Sequence, residues 1–211
     1  MMIDDCKIVN DNYKNQKRSE KEEENWISID DIKAKYDDLY ARVKKMFSKT
    51  SVINTTTVID YLLVALLGGQ LPSLPPRRSL DYALMKIRNY DKAKDNYYKA
   101  GKLYFNKYKT SDKYGLQVLN VPDELNKIIK KWIKINESDY LLFSTNGNPL
   151  SSPQITRILN KVFGKRVSVD MLRHIFLTDL YKGMPNLIDM EKTAKEMSHS
   201  LMTALTYVKR D

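Results

Sequence analysis

Apolar residues recur at helical spacing through most of this chain and give way to strand-like runs over one stretch near its middle. Behind Ser28-Ile29-Asp30-Asp31, which reads as a capping box, Ile32, Tyr36, Leu39, Val43 and Met46 fall on one helical face. Val58 to Leu67 is apolar on all sides, the pattern of a helix at the centre of a core, and Gly68-Gly69 ends it. Pro75-Pro76 predicts an extended entry to Arg77-Arg78-Ser79-Leu80-Asp81-Tyr82, where a short helix opens. From Lys102 to Val121 the period changes. Leu103-Tyr104-Phe105 and Leu116-Gln117-Val118-Leu119 read as strands flanking the turn-like Ser111-Asp112-Lys113-Tyr114-Gly115, a β-hairpin with lysines near its tip. Pro122 then introduces a helix carrying Leu125, Ile128, Ile129 and Trp132, and Ser152-Pro153 caps another carrying Ile155, Ile158, Leu159 and Val162. Ser168 or Asp170 caps a third, with Leu172, Phe176, Leu177 and Leu180 turned inward and Gly183 near its end. Two segments follow, Leu187 to Met197 and Leu201 to Val208. The expected fold is mainly α with one small antiparallel β-hairpin or sheet.

Residues 1–25 break the pattern. They are polar and charge-dense, with too little apolar surface to offset the entropy of ordering, and read as a disordered tail or interdomain linker before a folded domain over 26–211. A chain of 211 residues with 42% hydrophobic content can bury one good core. The 36 Lys and Arg against 26 Asp and Glu give a net charge of +10, which favours a polyanionic partner, nucleic acid first and an anionic membrane surface second. The single cysteine, Cys6, has no internal disulfide partner, and no Cys/His spacing suggests zinc, so a reducing, intracellular setting is expected. The first ten residues lack the apolar stretch of a secretory signal. The run Tyr61 to Leu67 falls far short of the roughly 20 residues a membrane span requires, so a soluble protein without a membrane partner is expected.

Candidate chemistry sharpens the expectation of a nucleic-acid partner. Breaking a phosphodiester without metal requires a nucleophile, cations that hold the charge on the non-bridging oxygens, and an acid for the departing oxygen. A guanidinium suits the second role, because it can make two parallel hydrogen bonds to a phosphate; Arg78 and Arg173 are the candidates. Arg173 lies among Leu172, Ile175 and Phe176, which predicts partial burial and a need for an anion. Each residue also has a plainer reading: Arg77-Arg78 as surface charge, the hairpin lysines as solvated or phosphate-touching, and Tyr207 as one of 14 tyrosines.

The order of these residues resembles a family. Asp170-Met171-Leu172-Arg173-His174, then Met197-Ser198-His199-Ser200, then Tyr207, is similar to the C-terminal signature of tyrosine recombinases: His-x-x-Arg, then His or Trp, then Tyr. Pro75-Pro76-Arg77-Arg78-x-x-Asp81-Tyr82 resembles the family's first arginine box, and Asn106-Lys107-Tyr108-Lys109-Thr110 sits in the hairpin where the family keeps its lysine. The wording is most similar to recombinases of large DNA viruses and virophages, and the match runs over about 26–211. Asp170 stands where the family most often has His, and His199 precedes Tyr207 by eight residues, one fewer than usual.

The resemblance implies the catalytic-domain fold shared with type IB topoisomerases, and a site-specific recombinase or integrase that inserts a viral or mobile genome. It implies that Tyr207 attacks the scissile phosphate to leave a 3′-phosphotyrosine and a free 5′-hydroxyl. Arg78 and Arg173 would clamp the phosphate, His199 would donate a hydrogen bond to it, and Lys109, with Lys107 or Lys113 as substitutes, would protonate the leaving oxygen. Asp170 either accepts the tyrosine proton or caps its helix; His174 and Asp81 take supporting roles. No cofactor and no metal are implied. The implied partners are double-stranded DNA and further copies of the chain, a tetramer on DNA and a monomer in solution, in the host nucleus or a viral factory. Members usually carry a separate N-terminal clamp domain, for which residues 1–25 are too few, so a catalytic fragment is expected rather than a minimal enzyme; only four residues follow Tyr207. A type IB topoisomerase and a DNA-binding module with decayed catalysis are the alternatives.

Overall fold

The computed structural model of the protein describes residues 18–48, 52–184, 186–196 and 200–202. The chain divides into two compact units, Trp26–Leu180 and a second made of Met1–Asn25 with Tyr181–Asp211. In the second unit the described residues include α1 (Glu20–Asn25) and α9 (Leu187–Glu196). Part of the segment expected to be a disordered tail or linker is therefore helical. Ser19 and Glu22 cap α1 reciprocally, Ser19 Oγ accepting from the Glu22 N–H and the Glu22 carboxylate accepting from the Ser19 N–H.

The larger unit is built around α3 (Thr55–Leu67), in which Val58, Ile59 and every residue from Tyr61 to Leu67 are buried. A fully buried aliphatic side chain contributes about 1.5–3 kcal/mol, so this one helix carries a large share of the core. The amphipathic α2 (Ile29–Ser48) lies against it through Ile32, Tyr36, Leu39 and Val43. Its expected capping box is present: Ser28 Oγ accepts from the Asp31 N–H at 3.0 Å, and the Asp31 carboxylate accepts from the Ser28 N–H at 2.9 Å. These bonds to Ser28 hold the Asp31 carboxyl below the usual range. Gly69, at φ +69°, ends the hub; a Cβ there would lie 2.4 Å from the Phe176 ring, so only glycine lets the chain turn beneath that residue.

The expected small antiparallel sheet is present, its hairpin formed by β2 (Lys102–Phe105) and β3 (Gln117–Asn120) and extended by a further strand, β1 (Tyr97–Lys99), in the order β1-β2-β3. Tyr98, Leu103 and Leu119 lie in register on the inner face; Tyr97 and Tyr104 pair on the outer face, where their rings stack at 4.5 Å. The short β1 follows a lysine- and aspartate-rich stretch and has too few residues to display a period of two. The expected turn contains a one-turn helix, α5 (Ser111–Tyr114), closed by Gly115 at φ +62°.

Three longer helices follow the sheet. α6 (Asp123–Ile135) buries Leu125, Ile128, Ile129 and Trp132 as expected. α7 (Ser152–Phe163) buries Ile155 and Leu159, with Ile158 and Val162 partly covered. Its cap is Ser151, in a capping box with Gln154, not Ser152 as expected; Ser152 is left to serve elsewhere. In α8 (Val169–Leu180) the buried stripe stops at Ile175. Leu177 and Leu180, expected inward, are 43% and 57% exposed, because they continue the helix beyond the last core residue it covers. No helix among the described residues is long and apolar enough to cross a membrane.

Candidate active site

The starts of α7 and α8 and the short α4 (Ser79–Ala83) meet the hairpin loop at an open cleft of ≈ 720 Å³. Arg78 is delivered to it by the extended Pro75-Pro76 entry: its backbone is at φ −69°, ψ 153°, at the N-cap position of α4. The side chain is exposed and lines the cleft. Arg77 turns the other way. Its Nε lies 2.9 Å from the Asp81 carboxylate, with the two side chains 15% and 4% exposed. Consecutive arginines thus take opposite roles, one open to a ligand and one tied into the fold. Asp81 supports Arg77 directly; the fields of Arg78 and Arg173 reach it as well. Burial pushes the Asp81 carboxyl up, and the attraction and hydrogen bond of Arg77 restrain that rise.

Across the cleft stand Lys107 and Lys109, both exposed and both lining it, with Tyr108 between them. Lys113, the other hairpin candidate, lies over the Tyr114 ring at 5.2 Å and is not among the lining residues. Ser79 and Ser152 share a hydrogen bond of 2.8 Å and join the start of α4 to the start of α7. Thr156 lines the same wall and donates to the Ser152 carbonyl.

The fourth wall is the start of α8. Ser168 is its cap, with Oγ accepting from the Met171 N–H at 3.1 Å. Asp170 is therefore free of capping duty, and its carboxylate instead accepts from Arg173 Nη1 at 2.9 Å. The Arg173 side chain is 30% exposed, the partial burial expected, and Asp170 is the anion it finds. His174 follows on the same helix, half-buried. His199 and Tyr207 lie outside the described residues.

Arg78, Lys107, Lys109 and Asp170, far apart in sequence, thus line one cleft, and Arg173 is tied to its wall through the ion pair with Asp170. A cleft presenting guanidinium and ammonium groups suits a phosphate diester. The described residues contain no cluster of three or more His, Cys, Asp or Glu side chains that could hold a metal ion. Sequence reasoning missed Arg77, Asn96, Gln117 and the Ser79–Ser152 pair. Of these, only Ser152 had a local signal: Ser151-x-x-Gln154 is a capping-box pattern that assigns the cap to Ser151 and leaves Ser152 unused by it.

No known protein family matches the sequence, and no curated protein matches it either. Among solved structures the chain is similar to the XerA recombinase, with a TM-score of 0.43 and 17% identity over 84% of this chain and 59% of that one. It is also similar to the XerH site-specific recombinase, solved bound to its difH substrate in a pre-cleavage complex, with a TM-score of 0.40 and 19% identity over 83% of this chain and 48% of that one. The chain thus spans less than two thirds of the length of either.

Proposed function

We propose that the chain carries the catalytic domain of a tyrosine recombinase, which breaks and rejoins double-stranded DNA through a 3′-phosphotyrosine. The observation that supports this reading is one cleft lined by Arg78, Lys107, Lys109 and Asp170, with Arg173 bonded to Asp170 at its wall, the order of the boxes having suggested it. In this reading Tyr207 is the nucleophile, Arg78 and Arg173 hold the non-bridging oxygens, and His199 adds a hydrogen bond. Lys109, with Lys107 as its alternative, protonates the leaving 5′-oxygen. The wording of the boxes supports an integrase of a viral or mobile genome acting inside a cell, and the resemblance supports a tetramer on DNA.

The test is a duplex nicked close to the scissile phosphate, so that the short 5′-hydroxyl fragment diffuses away and the covalent complex persists. The wild type should form an adduct that maps to Tyr207, and Tyr207→Phe should form none. No wild-type adduct, or an adduct with Tyr207→Phe, overturns the mechanism. Strand exchange between paired sites separates an integrase from a topoisomerase: relaxation of supercoils without any strand transfer would assign the chain to the latter.

A further inference from the structure

Arg77 is held by four partners at the edge of the cleft. Its Nε donates to Asp81 of α4 at 2.9 Å, and its Nη1 donates to Gln117 Oε1 of β3 at 2.6 Å. The guanidinium carbon stands 4.1 Å from the centre of the Phe105 ring of β2 and 5.0 Å from that of Tyr108 in the hairpin loop. Tyr108 is the residue between the two cleft lysines, and its hydroxyl ties the loop to the Gly115 carbonyl at 2.6 Å. A second link runs in parallel. Asn96, 1% exposed, donates to the Asp81 carbonyl at 3.1 Å and to the Lys107 carbonyl at 2.8 Å, and accepts from the Lys107 N–H at 2.8 Å. Both links join α4, which begins beside Arg78, to the loop that carries Lys107 and Lys109.

We infer that Arg77 is a positioning residue: by clamping Tyr108 and β3 to α4, it sets the distance between the phosphate held by Arg78 and the lysine that protonates the leaving oxygen. The inference rests on the functional reading above. A lysine at position 77 could not replace the arginine, since the contacts use two directions of a planar fork and a flat face at once, and an ammonium offers neither.

In the cleavage step, the Tyr207 oxygen bonds to phosphorus as the bond from phosphorus to the 5′-oxygen breaks. The leaving oxygen takes the electron pair of that bond and a proton from the hairpin lysine, and the phenol proton passes to a base or to water. If sulfur replaces the bridging 5′-oxygen, the leaving group is a thiolate, which departs without a proton because it is far less basic than an alkoxide, thiols ionising near pH 8.5. Cleavage of that substrate no longer depends on where the lysine stands.

The experiment compares adduct formation on the nicked duplex with bridging oxygen and on the same duplex with bridging sulfur, for wild type, Arg77→Lys and Gln117→Leu. Thermal melting first checks that each variant is folded; Gln117→Leu removes a single partner of Arg77 and leaves the Asp81 ion pair in place. On the oxygen substrate Arg77→Lys should fall about 100-fold, the scale on which small displacements of a catalytic group are felt. Gln117→Leu should fall in the same direction and less. On the sulfur substrate both should return to nearly the wild-type rate. Equal losses on the two substrates, or no loss on the oxygen substrate, overturn the role assigned to Arg77. A wild type that forms no adduct on either substrate overturns the functional reading itself, and the inference with it.

Discussion

The carboxylate of Asp170 and the guanidinium of Arg173 form an ion pair of 2.9 Å across one turn at the start of α8, with the acid 77% exposed and the base 30% exposed. If Arg173 holds a phosphate as proposed, that phosphate competes with Asp170 for the guanidinium. An exposed pair of this kind is worth at most about 1 kcal/mol, so the competition is mild and the pair can open for a ligand.

Asp170→Asn should therefore bind DNA more tightly, by about fivefold at most, which corresponds to the full worth of an exposed pair. Fluorescence anisotropy across a salt series measures this, and affinity should fall steeply with salt for both proteins because bound phosphates displace counterions. Unchanged binding with abolished cleavage would instead mark Asp170 as the base for the tyrosine.

Arg78→Ala should leave the melting temperature nearly unchanged, since the side chain is exposed, while the rate of adduct formation falls by about 100- to 1,000-fold, as on loss of a donor to developing charge. Loss of stability comparable to that of an Arg77 variant would show that the two arginines had been assigned the wrong way round.

Gly69→Ala should destabilise the protein by about 2–4 kcal/mol in denaturant unfolding, because it combines a strained positive φ with a collision against Phe176. A change below about half a kilocalorie per mole would show that the Phe176 ring moves aside without cost and that the positive φ is not strained by a side chain.

Asp60 is the single charged residue of α3, and burial pushes its carboxyl up, with the attraction of Lys161 restraining the rise. An acid whose folded pKa is raised keeps its proton better in the native state, so stability falls as pH rises from the ordinary aspartate range through the raised value. Asp60→Asn should match the wild type at low pH and exceed it near neutrality by less than about 1 kcal/mol, since the group is half-screened by solvent. Thermal melts at several pH values check the divergence, and a constant gap at all pH values would remove the titration from the account.

Most of the helical architecture was legible in the order of residues. The stripes of α2, α6 and α7 and the all-apolar α3 appear where their periodicity puts them, because a helix displays its buried face locally, every three or four residues. The hairpin was legible through its β-rich runs; β1 was not, since three residues cannot show alternation and its pairing with β2 is decided across the sheet. Four of the residues singled out in the sequence, Arg78, Lys107, Lys109 and Asp170, line the candidate cleft. The division of labour within their boxes was not legible. Nothing local distinguishes Arg77 from Arg78: one turns inward because Asp81, Phe105 and Gln117 surround it with a carboxylate, a ring face and an amide, two of them contributed by strands some 30 to 40 residues away. The same holds for Asp170, whose partner was settled once Ser168 had taken the cap, and for Leu177 and Leu180, whose exposure follows from where the core ends. Periodicity is a property of neighbours along the chain, whereas the direction of a charged side chain depends on which partners the fold brings within hydrogen-bonding reach.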